Sequence, residues 1–103
     1  MHWIAGMDGL PPQARLELLE RMGVPHAIFG RLGGHSQPPF ASLNTGHTVG
    51  DAPEAVEANM ARICQALGVA QEDLVTAHLV HGTRVAVVGP RDRGRVVPAT
   101  DAL

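Results

Sequence analysis

The sequence predicts a small α/β chain in which helical and β-favouring segments alternate. One long segment after Asp51 places apolar residues at helical spacing, and two short runs, 74–81 and 84–88, are rich in β-favouring residues. The 103 residues suffice for one domain, which would bury about 65% of the surface that the unfolded chain exposes. We therefore expect a single domain over residues 1–103.

The first segment, residues 1–22, is expected to be a lead that contains a short helix. Two prolines at positions 11–12 precede the segment 13–22, whose apolar residues recur near helical spacing, and Gly23 is placed to end it as a left-handed cap. The apolar run 27–30 then predicts a brief strand. This strand leads into residues 32–50, where four glycines and two prolines indicate a surface loop without regular structure.

The segment 51–68 is the clearest helix of the sequence. Asp51 is the expected N-cap and Glu54 stands three residues later, as in a capping box, while Gly68 ends the segment. One face of this helix carries the apolar residues Val56, Met60, Ile63 and Leu67. Cys64 lies beside that face, and we interpret it as a small buried apolar side chain.

The runs 74–81 and 84–88 predict a β-hairpin. They are separated by Gly82-Thr83, and glycine stands at the first central position, as a type II′ turn requires. The following segment 91–95 contains three arginines, which could meet an anion, although a solvated loop is the preferred interpretation.

Composition excludes several classes of partner. The net charge is −2 and all eight basic residues are arginine, so no polycationic surface for nucleic acid is indicated. No apolar run could cross a bilayer, and the amino terminus lacks the pattern of a secretory signal. The single cysteine cannot form an internal disulfide and agrees with a reducing compartment. We expect a cytoplasmic protein that binds neither nucleic acid nor membrane.

Six histidines raise the question of a metal site. His78 and His81 are three residues apart, which on a strand places them on opposite faces, so they cannot share one ion. On that interpretation His81 closes an apolar row beside Gly82, where a metal ligand could stand, although the spacing alone favours an ordinary hydrogen-bonded histidine. The other histidines, His2, His26, His35 and His47, are expected to be structural or exposed.

The loop also contains residues that suit an anion. Two glycines after Arg31 would let backbone amides approach an oxyanion, a guanidinium binds phosphate in a bidentate manner, and the Ser36 hydroxyl could add a hydrogen bond. The alternative is that the glycines form a tight turn and that Asn44 pins the loop through backbone groups. The residues alone leave both interpretations open.

Three blocks in fixed order carry a family resemblance. They are RLGGHSQPPFASLN from position 31, VGDAPEAVEANMARICQALG from position 49, and LVTAHLVHG from position 74. Together they resemble the amino-terminal part of the laccase-domain proteins, also called the YfiH-like or polyphenol oxidase family. The similar region runs from about residue 23 to residue 103, and the joint occurrence of the blocks is much more specific than any single block.

The resemblance implies an α/β fold of packed β-sheets flanked by helices, of which this chain would be an incomplete amino-terminal part. It implies metal-dependent phosphorolysis of adenosine, inosine, guanosine and methylthioadenosine, with adenosine deamination as a second activity. It also implies a metal site for zinc, with copper possible, made by two histidines and a cysteine. His81 matches the histidine of the family's Gln-Val-His-Gly motif, with Leu79 in place of the glutamine. Arg31, Ser36 and Asn44 match its substrate- or phosphate-binding loop.

On this comparison the chain holds one of the three metal ligands, His81. A single imidazole does not hold zinc at useful affinity, so we expect the isolated chain to be a metal-poor, inactive fragment. The alternatives are a non-catalytic module that pairs through open sheet edges, as a homo-oligomer or with the missing carboxy-terminal half, and a phosphate binder that uses the glycine loop alone.

Overall fold

The computed structural model describes residues 1–6 and 9–103. Within them the chain forms two compact units, Met1–Val69 and Ala70–Leu103. The predicted single domain, with its division at residue 22, stays a prediction. None of the helices among these residues has the length and apolar character that crossing a membrane requires.

A three-stranded antiparallel sheet lies in the first unit. Its strands are β1 (His2–Ile4), β2 (Gln13–Arg15) and β3 (Ile28–Phe29), with β2 in the middle. Trp3 faces Ala14 across one pair, and Ala14 faces Ile28 across the other. Because β2 has a partner on both sides, Ala14 is buried between larger neighbours. The strand predicted over 27–30 is present as β3.

The helix predicted over residues 13–22 is wrong in its first part, because residues 13–15 form the middle strand. The helix α1 is Glu17–Arg21, and Leu16 before it is extended, with φ −96° and ψ 121°. Pairing on both edges of β2 satisfies its backbone, which outweighs the weak helical preference of the segment. The apolar side chains of Leu18 and Met22 are exposed, so the segment has no buried stripe. Gly23 does adopt the expected left-handed conformation, with φ 70°.

The second helix, α2, spans Pro53–Leu67 and ends at Gly68, as predicted, with Gly68 in the left-handed conformation at φ 72°. Val56 is buried on the predicted apolar face, and Cys64 beside it is buried too. The predicted capping box is wrong, since Ala52 is the N-cap residue and no side chain caps the helix. The Asp51 carboxylate instead bonds side chains of the preceding loop, as described below.

A short parallel strand pair organises the second unit. Strand β4 (Thr76–Ala77) pairs with β5 (Val96–Val97), and Val85 forms an isolated parallel bridge with Ala102. The predicted hairpin is therefore wrong. The partner of β4 comes from the end of the unit, and Val87 in the second predicted strand is 99% exposed, so that run has no face to bury.

The arginine-rich segment near the end of the chain is a turn held by ion pairs. A 3₁₀ turn, Pro90–Asp92, is followed by Arg95, whose guanidinium lies 3.0 Å from the Asp92 carboxylate. Arg93 lies 3.5 Å from Asp73. Both side chains are largely exposed, which agrees with the preferred interpretation of a solvated loop.

Candidate functional site

The glycine-rich loop, residues 31–44, folds back on itself. The Arg31 carbonyl accepts hydrogen bonds from the Ser42 and Leu43 amides, at 2.7 and 2.8 Å. A Cβ atom on Gly34 would lie 2.1 Å from the Ser42 carbonyl oxygen, and Gly33 has φ 93°. The glycine pair is therefore required by the close approach of backbone to backbone.

A buried amide from α2 holds this loop. Asn59 is fully buried, and its side-chain oxygen accepts the His35 amide at 2.6 Å. Its side-chain nitrogen donates to the Ser36 hydroxyl and to the Asn44 carbonyl, both at 2.8 Å. Both N–H donors of the amide and one lone pair of its oxygen are thus engaged with the loop.

Asp51 is the second holding group. Its carboxylate accepts hydrogen bonds from the Ser36 hydroxyl at 2.5 Å, the Asn44 side-chain amide at 3.1 Å and the Ala52 backbone at 2.8 Å. The Ser36 bond contributes most to lowering the pKa of the Asp51 carboxyl, and the bonds from Asn44 and Ala52 add to it against the opposing effect of desolvation.

The structure brings two of the three predicted loop residues together. Ser36 and Asn44 both bond Asp51 and Asn59, so their polar groups are used inside the loop. Arg31 makes no hydrogen bond to this cluster, and its exposed guanidinium has a long contact of 3.5 Å to the Ala41 carbonyl. These bonds are of the loop-pinning kind, and contact of the three residues with phosphate stays a prediction.

The fourth predicted residue, His81, lies in a turn of the second unit. Its φ is 58°, in the left-handed region. The Asp101 carboxylate accepts the backbone N–H groups of Val80, His81 and Gly82 at 3.0, 2.9 and 2.7 Å. The hydrogen bond from Gly82 contributes most to lowering the pKa of the Asp101 carboxyl. The bonds from His81 and Val80 lower this pKa further, and desolvation opposes them.

The geometric argument that placed His81 at the end of an apolar row is wrong. His81 is not on a strand, and Leu79 and Val80 before it are exposed. The residues present do not by themselves form a metal centre, because the described part of the chain contains no group of three or more His, Cys, Asp or Glu side chains arranged to hold an ion. His81 could supply one donor only.

The remaining candidates have ordinary roles. The His26 ring bonds the Leu16 amide and the Val24 carbonyl, each at 2.8 Å. The His35 ring accepts a hydrogen bond from Arg62 at 2.7 Å. Burial raises the pKa of the Cys64 thiol, as expected for an apolar side chain of the core.

Sequence reasoning missed Asn59 and Asp101. A signal existed for Asn59, which stands three residues after Val56, where the helical period places it near the buried face. Asp101 had no comparable signal, because its partners lie about 20 positions earlier and are backbone groups of a turn.

Comparison with known proteins decides the family. Residues 25–103 match the family described as multi-copper polyphenol oxidoreductase laccase. The chain belongs to this family. Similar proteins include a purine nucleoside phosphorylase of Corynebacterium glutamicum, 38% identical over 94% of this chain and 37% of the relative, and one of Streptomyces griseus, 44% identical over 75% of this chain and 32% of the relative.

Two solved structures are similar to this chain. The chain is similar to the Bacillus licheniformis hypothetical protein YfiH, with a TM-score of 0.70 and 34% identity over 73% of this chain and 31% of that one. It is also similar to YlmD from Geobacillus stearothermophilus, with a TM-score of 0.68 and 35% identity over 71% of this chain and 30% of that one. The predicted family and α/β fold class are confirmed, and the chain spans about a third of the length of the curated relatives.

Proposed function

We propose that this chain forms part of a purine nucleoside phosphorylase that takes purine nucleosides and phosphate. The observation that carries the proposal is the 38% identity to the Corynebacterium glutamicum purine nucleoside phosphorylase over 94% of the chain. Adenosine, inosine, guanosine and methylthioadenosine are the proposed substrates, with adenosine deamination as a second activity. In phosphorolysis, a phosphate oxygen bonds the anomeric carbon of the sugar as the bond from that carbon to the purine breaks.

The glycine-rich loop is the proposed phosphate-facing element. The Arg31 guanidinium is exposed, permanently charged and only weakly engaged, so it can offer two parallel donors to a phosphate oxyanion. The cluster of Ser36, Asn44, Asp51 and Asn59 would hold the loop that presents it. Direct contact of Ser36 or Asn44 with phosphate would require each side chain to leave Asp51, whose negative charge opposes an anion at the same place.

The proposed metal role falls to His81. Zinc, or alternatively copper, would need donors besides this imidazole, and the described residues do not gather them. We therefore assign no reaction step to a metal here, and we expect the purified chain to bind little zinc or copper and to turn over little or no nucleoside. Stoichiometric metal and robust phosphorolysis of inosine by the chain alone would contradict this expectation.

A chimera tests the phosphorylase proposal. Residues 1–103 would replace the matching segment of the Corynebacterium glutamicum relative, and hypoxanthine release from inosine would be followed at varied phosphate concentration. We expect turnover, with a raised KM for phosphate in Arg31→Ala and no change in the matched control Arg91→Ala, whose arginine lies in the exposed 3₁₀ turn. A folded chimera without turnover, beside an active parent, would overturn the proposal.

The exposed apolar side chains of the second unit favour one other candidate, a non-catalytic pairing module. Val85, Val96 and Leu103 are 66%, 58% and 47% exposed. Edge-to-edge pairing joins unpaired backbone N–H and C=O groups of two strands, and exposed apolar side chains beside the strand edge favour it. Size-exclusion chromatography with light scattering separates the candidates, since a stable, metal-free oligomer of the chain supports pairing and a monomer contradicts it.

A further inference from the structure

The turn at residues 80–82 is built around an anion. Three consecutive backbone N–H groups, those of Val80, His81 and Gly82, point at one carboxylate at 2.7–3.0 Å. Successive amides that converge in this way form an anion-binding concavity, and hydrogen bonds to an ionised acceptor are stronger than neutral ones. The occupant is the chain's own Asp101.

The backbone of His81 needs such support. A φ of 58° is a conformation that glycine adopts readily and that costs other residues free energy because Cβ crowds the carbonyl. Packing offers little support, because His81 itself is exposed and Leu79 and Val80 before it are 59% and 49% exposed. The bonds to Asp101 are therefore the main contacts that can hold His81 in this conformation.

Asp101 is itself fixed on both sides of the turn. Its amide donates to the Arg84 carbonyl at 3.1 Å, and the amide of Thr100 before it donates to the His78 carbonyl at 3.1 Å. Thr100 is fully buried, and its hydroxyl donates to the Pro98 carbonyl at 2.8 Å. The carboxylate is thus presented from an anchored backbone that brackets the turn.

We propose that Asp101 is the positioning residue of His81: it holds the left-handed backbone of the turn and so sets the direction in which the imidazole leaves the chain. The functional meaning of this inference rests on the proposed role of His81 as a ligand. Its test reads the geometry of the turn rather than turnover, so the outcome is independent of the phosphorylase assay.

The test uses nuclear magnetic resonance on the full chain and its Asp101→Ala variant. We expect hydrogen exchange at the amides of residues 80–82 to accelerate about tenfold or more, and the coupling between the amide and α protons of His81 to move towards an averaged value. Asp92→Ala is the matched control, because Asp92 also accepts a backbone amide in a loop of the same unit, at Gly89. That control should leave the turn unchanged.

Chemical rescue separates positioning from general loss of structure. In Asp101→Gly, added formate should occupy the place of the lost carboxylate. It should restore the slow hydrogen exchange of the turn and the coupling between the amide and α protons of His81, whereas chloride at equal ionic strength should not. Unchanged exchange and coupling in Asp101→Ala would overturn the proposal. If either variant unfolds the unit, Asp101→Asn decides, because it keeps the shape and one side-chain oxygen. Partial loss of protection from hydrogen exchange that is confined to the amides of residues 80–82 supports positioning. Wild-type protection at these amides contradicts it.

Discussion

Replacing Asn59 with alanine should destabilise the first unit more than any exposed substitution on α2. The side chain is fully buried and makes three hydrogen bonds, at 2.6, 2.8 and 2.8 Å, to the loop. At about 1 kcal/mol net for each bond the loss is about 3 kcal/mol, and buried loop groups left without a partner add to it. Against a total stability of about 5–15 kcal/mol for a domain of this size, that is a large fraction.

Urea denaturation followed by circular dichroism measures this change. We expect Asn59→Ala to lower the free energy of unfolding by about 3 kcal/mol and the melting temperature by about 12 °C or more. Gln65→Ala is the matched control, because it removes an amide from an exposed position of the same helix. A difference between the two variants below about 0.5 kcal/mol would refute the reasoning that Asn59 holds the loop.

Three further outcomes follow from the same unit. Gly34→Ala should prevent the loop from closing and lower the melting temperature, because the added Cβ would lie 2.1 Å from the Ser42 carbonyl oxygen. Gly89→Ala is the control, because a Cβ there would meet open space. Equal melting temperatures of the two variants would contradict the prediction. The lowered pKa of Asp51 means that its stabilisation is present above the unfolded value and is lost as the pH falls through the folded one, so Asp51→Asn should flatten the acid side of the stability profile. The buried Cys64 thiol, with its raised pKa, should react with iodoacetamide much more slowly in the native chain than in urea; equal rates would show that it is accessible.

Local patterns were sufficient for α2 and for the helix-ending glycines. The apolar period after residue 53 and the left-handed Gly23 and Gly68 follow from spacing and from backbone sterics, which act over a few residues. The same local reasoning failed for residues 13–15, because their partners in the sheet come from β1 and β3. Pairing over long sequence separation overrides a marginal local preference.

At the candidate site, too, some features follow from local sequence and others depend on contacts with distant residues. The sequence indicated that residues 32–50 form an irregular loop, and it placed His81 on a strand that the structure does not have. The contacts that shape both places come from elsewhere in their own units. Asn59 reaches the loop from α2, and Asp101 reaches the turn from the end of the second unit. The predicted hairpin was wrong because β4 pairs with β5, and a turn type chosen from Gly82-Thr83 alone could not include the Asp101 carboxylate.

The hydrogen bonds that hold the glycine-rich loop affect how substitutions in it should be interpreted. Ser36 and Asn44 are proposed phosphate-binding residues, yet each is bonded to Asp51, so in the chimera loss of activity on replacing either is expected whether or not it touches phosphate. Residues that share one partner act together. We therefore expect the sum of the two single effects to exceed the effect of the double replacement. Arg31 makes no hydrogen bond to this group of side chains, so a raised KM for phosphate with unchanged stability in the Arg31→Ala chimera would indicate contact with the anion. A parallel fall in stability would indicate that Arg31 supports the loop.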